Sequence, residues 1–314
     1  MFSRRSFLGT AFAVAATVGI AVPAISQSSS EIKIDGSSTV FPITEAMAEA
    51  YGNRGFVTIG VSGTGGGFRK FCAGETVISN ASRLIKDSEI EECNTNGIEF
   101  EKYDVAFDAI TVVVPNNSPL VNADGSVTPL TVEQLNAIWR PENPAQTWSD
   151  LNPTWPEEEI SLYGPGTDSG TFDYFTDAIN GEEGASRNDY VASEDDNVLV
   201  LGVAGDQYAL GYFGLAYYAE NADDLKAVPI DNGEGPVEPE ANNVNNGTYA
   251  PLSRPIFIYV RTNITDSGLQ SAVDSFVEFY LTQARDSSLI PTVGYVQLPD
   301  QRYTTYINEG GDDM

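Results

Sequence analysis

Three short runs combine Ser/Thr hydroxyls with glycine where a strand-like pattern gives way to a helical one: Gly36-Ser-Ser-Thr39, Gly63-Thr-Gly-Gly-Gly67 and Thr167-Asp-Ser-Gly-Thr171. A loop in that position leaves the first backbone N–H groups of the helix unpaired at the positive end of its dipole, and glycine lets a ligand approach the main chain. The chemistry on offer is capture of an oxyanion. One such loop alone is ordinarily a helix cap, but three at the carboxyl ends of strands point to a shared site.

Competing chemistries find little support. The chain has no histidine, which removes Ser-His-Asp and Cys-His nucleophiles and imidazole-bound zinc. Gly63-x-Gly65 lacks the third glycine of a dinucleotide fingerprint, and there is no phosphate loop of the G-x-x-x-x-G-K-[ST] form. Asp168-Ser-Gly-Thr171 and Asp266-Ser-Gly268, 98 positions apart, imitate the Asp-Ser/Thr-Gly turn of aspartic proteases. A carboxylate dyad sharing a proton needs both carboxyls on facing strand-borne loops, whereas these triplets fall at helix starts. The expectation is a binding protein, not an enzyme, with no cofactor and no metal.

The elements that would position these loops follow from periodicity. Glu31-Ile-Lys-Ile-Asp35 alternates as a strand, and Ile43, Met47 and Ala50 then recur at helical spacing. Phe56-Val-Thr-Ile-Gly-Val61 is a second strand; residues 62–67 read as a loop, with a helix opening at Phe68. A third strand, Thr76-Val-Ile-Ser79, is followed by a polar helix near 87–93. Ala109-Ile-Thr-Val-Val-Val114 ends a nearly continuous apolar run, as in a strand covered on both faces. Beyond Pro115 come a Pro- and Trp-rich stretch expected to pack under a loop, strand Ile160-Ser-Leu-Tyr163, and a helix from Ser169 carrying Phe172, Phe175 and Ile179. Residues 231–246 read as an exposed loop, Pro255-Ile-Phe-Ile-Tyr-Val260 as another buried strand, and Val273, Phe276, Val277 and Tyr280 stripe a long helix. Successive β-loop-α units predict α/β architecture with parallel strands.

Composition sets the compartment and the partners. The 314 residues carry 16 Lys+Arg against 45 Asp+Glu, a net charge of −29 with no basic run, so nucleic acid is excluded as a partner. Arg4-Arg5 precede an apolar, alanine-rich stretch to about Ile25, with small residues before a cleavage point near Ser26. Residues 1–26 therefore read as an export signal of the twin-arginine type. Its removal takes the net charge to −31, a field that repels anions but is screened within about 8 Å at physiological salt. Short-range donors must then hold any anionic ligand. Cys72 and Cys93, the only cysteines, are expected to form one disulfide in that oxidising compartment.

Gly36-Ser-Ser-Thr-Val-Phe-Pro42, Ser62-Gly-Thr-Gly-Gly-Gly-Phe68, Ile78-Ser-Asn-Ala-Ser-Arg83 and Gly164-Pro-Gly-Thr-Asp-Ser-Gly-Thr-Phe172 resemble the motifs of the PstS/SphX family of periplasmic phosphate-binding proteins. Gly205-Asp-Gln-Tyr-Ala-Leu-Gly-Tyr-Phe-Gly214 and Pro251-Leu-Ser-Arg-Pro255 extend the likeness over nearly the whole mature chain. The resemblance implies a type II, two-lobed periplasmic-binding-protein fold, each lobe a mostly parallel sheet flanked by helices, with crossing strands near 112–115 and 254–259 as the hinge. Residues 27–113 with 255–314 would form one lobe and 114–254 the other. It implies inorganic phosphate as ligand, the membrane permease of an ABC importer as partner, and a monomer in the periplasm; sulfate or molybdate are the nearer alternatives, an acid protease or phosphatase the remoter one. Carried across by motif, Ser38, Thr39, the Val40 amide, Thr64, Ser169, Gly170 and Thr171 would bind the anion and Arg83 would supply the cation. Several family members have an aspartate at the Arg83 position, which accepts the proton of hydrogen phosphate, and an arginine at the start of the third loop, where this chain has Gly164-Pro165. With the charges exchanged, Asp168 becomes the expected proton acceptor.

Overall fold

The computed structural model describes residues 31–52, 56–167 and 169–313; the expected signal and Asp168 lie outside them. The described residues open with β1 (Glu31–Gly36), α1 (Phe41–Tyr51), β2 (Phe56–Ile59), α2 (Gly63–Cys72), β3 (Ile78–Ala81) and α3 (Asp87–Thr95), then enter the long strand β4 (Phe100–Pro115). The second half holds β5 (Leu130–Thr131), α4 (Val132–Trp139), α5 (Trp148–Leu151), β6 (Ser161–Gly164), α6 (Gly170–Asn180), β7 (Val191–Ala192) and α7 (Asp196–Gly205). It continues through β8 (Ala209–Gly214), α8 (Leu215–Glu220), β9 (Leu225–Ala227), β10 (Ile230–Asp231), β11 (Pro236–Val237) and α9 (Ala241–Asn245). The chain returns through β12 (Ser253–Arg261) to α10 (Ser267–Asp286), α11 (Leu289–Thr292), α12 (Asp300–Glu309) and β13 (Asp312–Asp313).

One mixed sheet runs β2-β1-β3-β12-β4-β8-β6-β7, with β9 and β13 also paired to β4. The βα units supply parallel neighbours, β2-β1-β3 and β8-β6-β7, while β12 and β4 are antiparallel to both flanks. Each half therefore has the parallel group of strands expected for it, and the sheet as a whole is mixed because its two longest strands carry the chain between the halves in opposite directions. Along β4 the partner changes at one step: Ala109 opposes Ser253 of β12, and Ile110 opposes Gly214 of β8. That switch precedes the expected crossing at 112–115. Residues 109–115 are all buried, so no change of hydropathy marks it.

Each half has its own core. In the first, Ile32, Ile34 and Ile258 of the sheet pack with Ile43 and Met47 of α1 and with Val273, Phe276, Val277 and Tyr280 of α10, the stripe expected for that helix. The other face carries α2 and α3, where Phe68 and Phe71 are fully buried and Cys72 is joined to Cys93 as expected. In the second half Trp139 and Trp148 are buried completely. Trp139 meets Phe175 edge-on at 5.7 Å and Tyr212 at 4.9 Å, and Phe175 stacks on Tyr212 at 3.8 Å. Aromatic pairs of this kind contribute about 0.5–1.5 kcal/mol each beyond their burial, and this cluster packs α6 against α4 and β8.

Two local expectations change. The helix expected from Phe68 starts at Gly63: Gly66 and Gly67 are buried, and a Cβ on Gly67 would lie 2.5 Å from the Gly36 Cα. Gly67 lets α2 press onto β1, and a Cβ on Gly66 would instead collide with the Ser62 side chain, so the helix penalty of about 1 kcal/mol for each glycine is offset by packing that composition does not display. The segment 231–246 is not featureless, since it contains β11 and α9; β10, with β11 and β5, forms a second small sheet.

Candidate functional site

The carboxyl ends of β1, β2 and β3 feed three loops toward one point. Gly36 has φ +143°, and a Cβ there would stand 2.1 Å from the Asn80 carbonyl oxygen, so only glycine lets β1 turn into Ser37-Ser38-Thr39. Val40 is the N-cap of α1 and offers no side-chain hydrogen bond to the helix. Ser62, the N-cap of α2, does not cap it either; its hydroxyl donates to Asp35 Oδ1, and Lys70 holds the other carboxylate oxygen. Burial would raise Asp35, but the Lys70 and Ser62 hydrogen bonds outweigh it and hold the carboxyl below its ordinary value. Two helices thus present N-termini without side-chain caps, the arrangement that favours an anion.

These loops open on a cavity of about 380 Å³ between the halves. From the first half its wall is Ser37, Ser38, Thr39, Gly63, Thr64, Gly65, Ser82, Arg83 and Lys86. Opposite stand Asp173, Tyr174 and Asp177 of α6 and Glu183, with Arg254 of β12 between. Thr64 Oγ1 accepts from the Ser82 amide at 3.2 Å and lies 3.1 Å from the Ser82 hydroxyl, tying the second loop to the β3 loop.

Of the residues expected from sequence, Ser38, Thr39, Thr64 and Arg83 line this cavity. Val40 is fully buried behind it. Ser169, Gly170 and Thr171 are not part of its wall. They form the capped start of α6, where Ser169 Oγ accepts from the Thr171 amide at 3.2 Å, and Gly170 packs directly on Thr39, to whose Oγ1 a Cβ on Gly170 would approach within 2.7 Å. The third loop therefore meets the first from the opposite half. Asp168 lies outside the described residues. Asp266, of the other triplet that imitates a protease turn, caps α10, its Oδ1 accepting from the Gly268 and Leu269 amides at 2.8 and 3.1 Å.

Charge is distributed differently from the expected lone cation. Arg83 donates through both terminal nitrogens to the Glu89 carboxylate, each bond 2.9 Å long. Burial would raise Glu89, yet the Arg83 hydrogen bond overcomes it and keeps the carboxyl below its usual range. Arg254 donates from Nε and Nη2 to Asp108 Oδ2, both at 3.2 Å, and its guanidinium carbon lies 3.8 Å from the Tyr174 ring centroid. Burial pushes Asp108 up, and Arg254 only partly draws it back. Asp173 is pushed up to about 6, first by burial and then by the charge and hydrogen bond of Glu183. Sequence reasoning missed Arg254 and this acidic wall, because β12 is remote in the chain from every loop motif and Asp173 lies one turn inside α6; the Pro251-Leu-Ser-Arg-Pro255 segment was the one available signal.

A cleft between two α/β halves, lined by strand ends and helix N-termini, defines a solute-binding protein of the two-lobed kind. A profile of the PBP superfamily domain matches residues 21–284. Protein SphX of Synechocystis sp. is 49% identical over 292 residues, covering 91% of this chain and 84% of its own. The phosphate-binding protein PstS of Staphylococcus saprophyticus is 38% identical over 280 residues, covering 87% of this chain and 82% of its own. The crystal structure of a possible phosphate-binding protein from Planctomyces limnophilus superposes with a TM-score of 0.80 at 42% identity, over 90% of this chain and 97% of that one. The chain belongs to the PBP superfamily and, within it, to the SphX/PstS family.

Proposed function

We propose that this chain binds inorganic phosphate between its halves, outside the cytoplasm, and delivers it to the membrane permease of an ABC importer. The observation that carries the reading is the convergence on one cavity of two helix N-termini without side-chain caps, bearing Ser38, Thr39 and Thr64, with Arg83 beside them. The relatives named as phosphate-binding proteins make phosphate the oxyanion of choice. Ser38, Thr39, the Val40 amide, Thr64 and Arg83 bind it from the first lobe. Ser169, Gly170 and Thr171 meet it from the second as the lobes, 27–113 with 255–314 and 114–254, close, and Asp168 accepts its proton. Export follows from Arg4, Arg5 and the apolar stretch after them, and the protein acts as a monomer. The role is binding and not catalysis, a reading supported by Asp266, which is engaged as a helix cap.

The energetics are within reach. A Kd of about 1 μM corresponds to roughly −8 kcal/mol, and hydrogen bonds to charged groups contribute about 1.5–3 kcal/mol each before ordering and desolvation costs. Calorimetric titration of ligand-stripped protein with phosphate, arsenate, sulfate and molybdate is the test. Phosphate is expected to bind at micromolar Kd or tighter and at least tenfold better than sulfate. Preference for sulfate or molybdate would leave an oxyanion site and remove the phosphate assignment, and no binding at all would remove both.

A further inference from the structure

We propose that Arg254 is a ligand-binding cation of the cleft, reaching the anion through its unspent Nη1 while it bridges the two halves. The proposal rests on the phosphate reading above and adds a residue to it. Arg254 sits on β12 one residue from Ser253, which pairs with Ala109 at the step where β4 changes partner. Its side chain enters the cavity between elements of both halves: Nη2 lies 3.4 Å from Thr39 Oγ1 in the first loop, and the guanidinium lies over Tyr174 of α6. Tyr174 is itself fixed, its hydroxyl donating to the Pro251 carbonyl at 2.7 Å.

The guanidinium has a used edge and a free one. Nε and Nη2 face Asp108 Oδ2, a buried carboxylate that holds the plane in position, whereas Nη1 has no protein acceptor among the described residues. Arg83 is the opposite case, since Glu89 engages both of its terminal nitrogens and Leu84 O takes a further bond from Nη1. Of the two arginines on the cavity wall, Arg254 therefore keeps a donor group for a ligand oxygen, and charge-assisted bonds of that kind are the strong ones. The position also answers a difficulty of the cleft. Asp173, Asp177 and Glu183 face it from the second half, and an anion entering there needs a cation on that side of the first-half loops. Arg254 is placed between Thr39 of the first loop and that acidic wall.

Phosphate titrations of wild type, Arg254→Lys, Arg254→Gln and Arg83→Gln read this directly. Losing a hydrogen bond to a charged group costs about 10- to 150-fold in Kd, so R254Q is expected to weaken phosphate by at least tenfold, and by more than R83Q. R254K should recover part of the loss while the unliganded melting temperature stays near wild type. R254Q that folds and titrates within twofold of wild type overturns the proposal and leaves the phosphate reading intact; a wild-type protein that does not bind phosphate overturns both. Should R254Q fail to fold, NMR of wild-type arginine side chains decides. The guanidinium signal missing from R254K must shift on adding phosphate, and an unmoved signal overturns the proposal.

Discussion

Gly170→Ala isolates the contact between the two halves at the site. Gly170 is the first residue of α6 and its φ is not positive, so alanine is not excluded by backbone conformation. The added Cβ would instead stand 2.7 Å from Thr39 Oγ1, 3.2 Å from its Cα and 3.3 Å from its amide nitrogen. Ordinary contact needs about 3.5–4 Å between such atoms, so the start of α6 must retreat by roughly half an ångström. Thr39 cannot yield easily, because it is buried and its carbonyl accepts from Tyr295. Overpacking of this kind costs about 1–3 kcal/mol. If the halves move apart without ligand, that cost falls only on the closed state and weakens phosphate by about 5- to 150-fold. Alanine is also the better helix former, so the unliganded protein should melt no lower than wild type. Calorimetric titration paired with unliganded thermal melts makes the check. Wild-type affinity in G170A would refute the reasoning, as would a loss of affinity matched by an equal loss of unliganded stability.

Two further outcomes follow from the same structure. Because the folded-state pKa of Asp173 is raised from 3.8 to about 6 by burial and Glu183, the fold binds its proton more readily than the unfolded chain, and stability should rise as pH falls from about 6 toward 4. Asp173→Asn should therefore raise the melting temperature at pH 7 and flatten that slope, with Asp196, also pushed up to about 6, retaining part of it; an unchanged profile would disprove the assignment. Removing the bridge that joins α2 to α3 in Cys72→Ser/Cys93→Ser, a span of 21 residues, should cost about 3 kcal/mol in guanidinium unfolding, and a loss below about 1 kcal/mol would refute the loop-entropy account of its contribution.

The strands and the long helices were legible because one face or both must be apolar. Ile32 and Ile34, the Ala109–Val114 run, and the stripe Val273, Phe276, Val277 and Tyr280 are all buried. The oxyanion chemistry was legible for a related reason, since Ser/Thr/Gly at a strand-to-helix junction specifies the local backbone whatever lies around it. Where α2 begins was not, because a glycine run reads as a loop until another backbone is found against it, as Gly36 is against Gly67.

Taken alone, the sequence determined the α/β class, the hydroxyl- and glycine-bearing loops, the disulfide pair and the excess of acid, all of which depend on residue type and near neighbours. The tertiary structure decided which charges meet. Glu89 takes up Arg83, Asp108 aligns Arg254 from the neighbouring strand, and α6 brings Gly170 onto Thr39 across 131 positions of chain. Such pairings are fixed by strand order and by the step at Ala109 and Ile110 where β4 changes partner, and strand order is a property of global packing that no local pattern encodes.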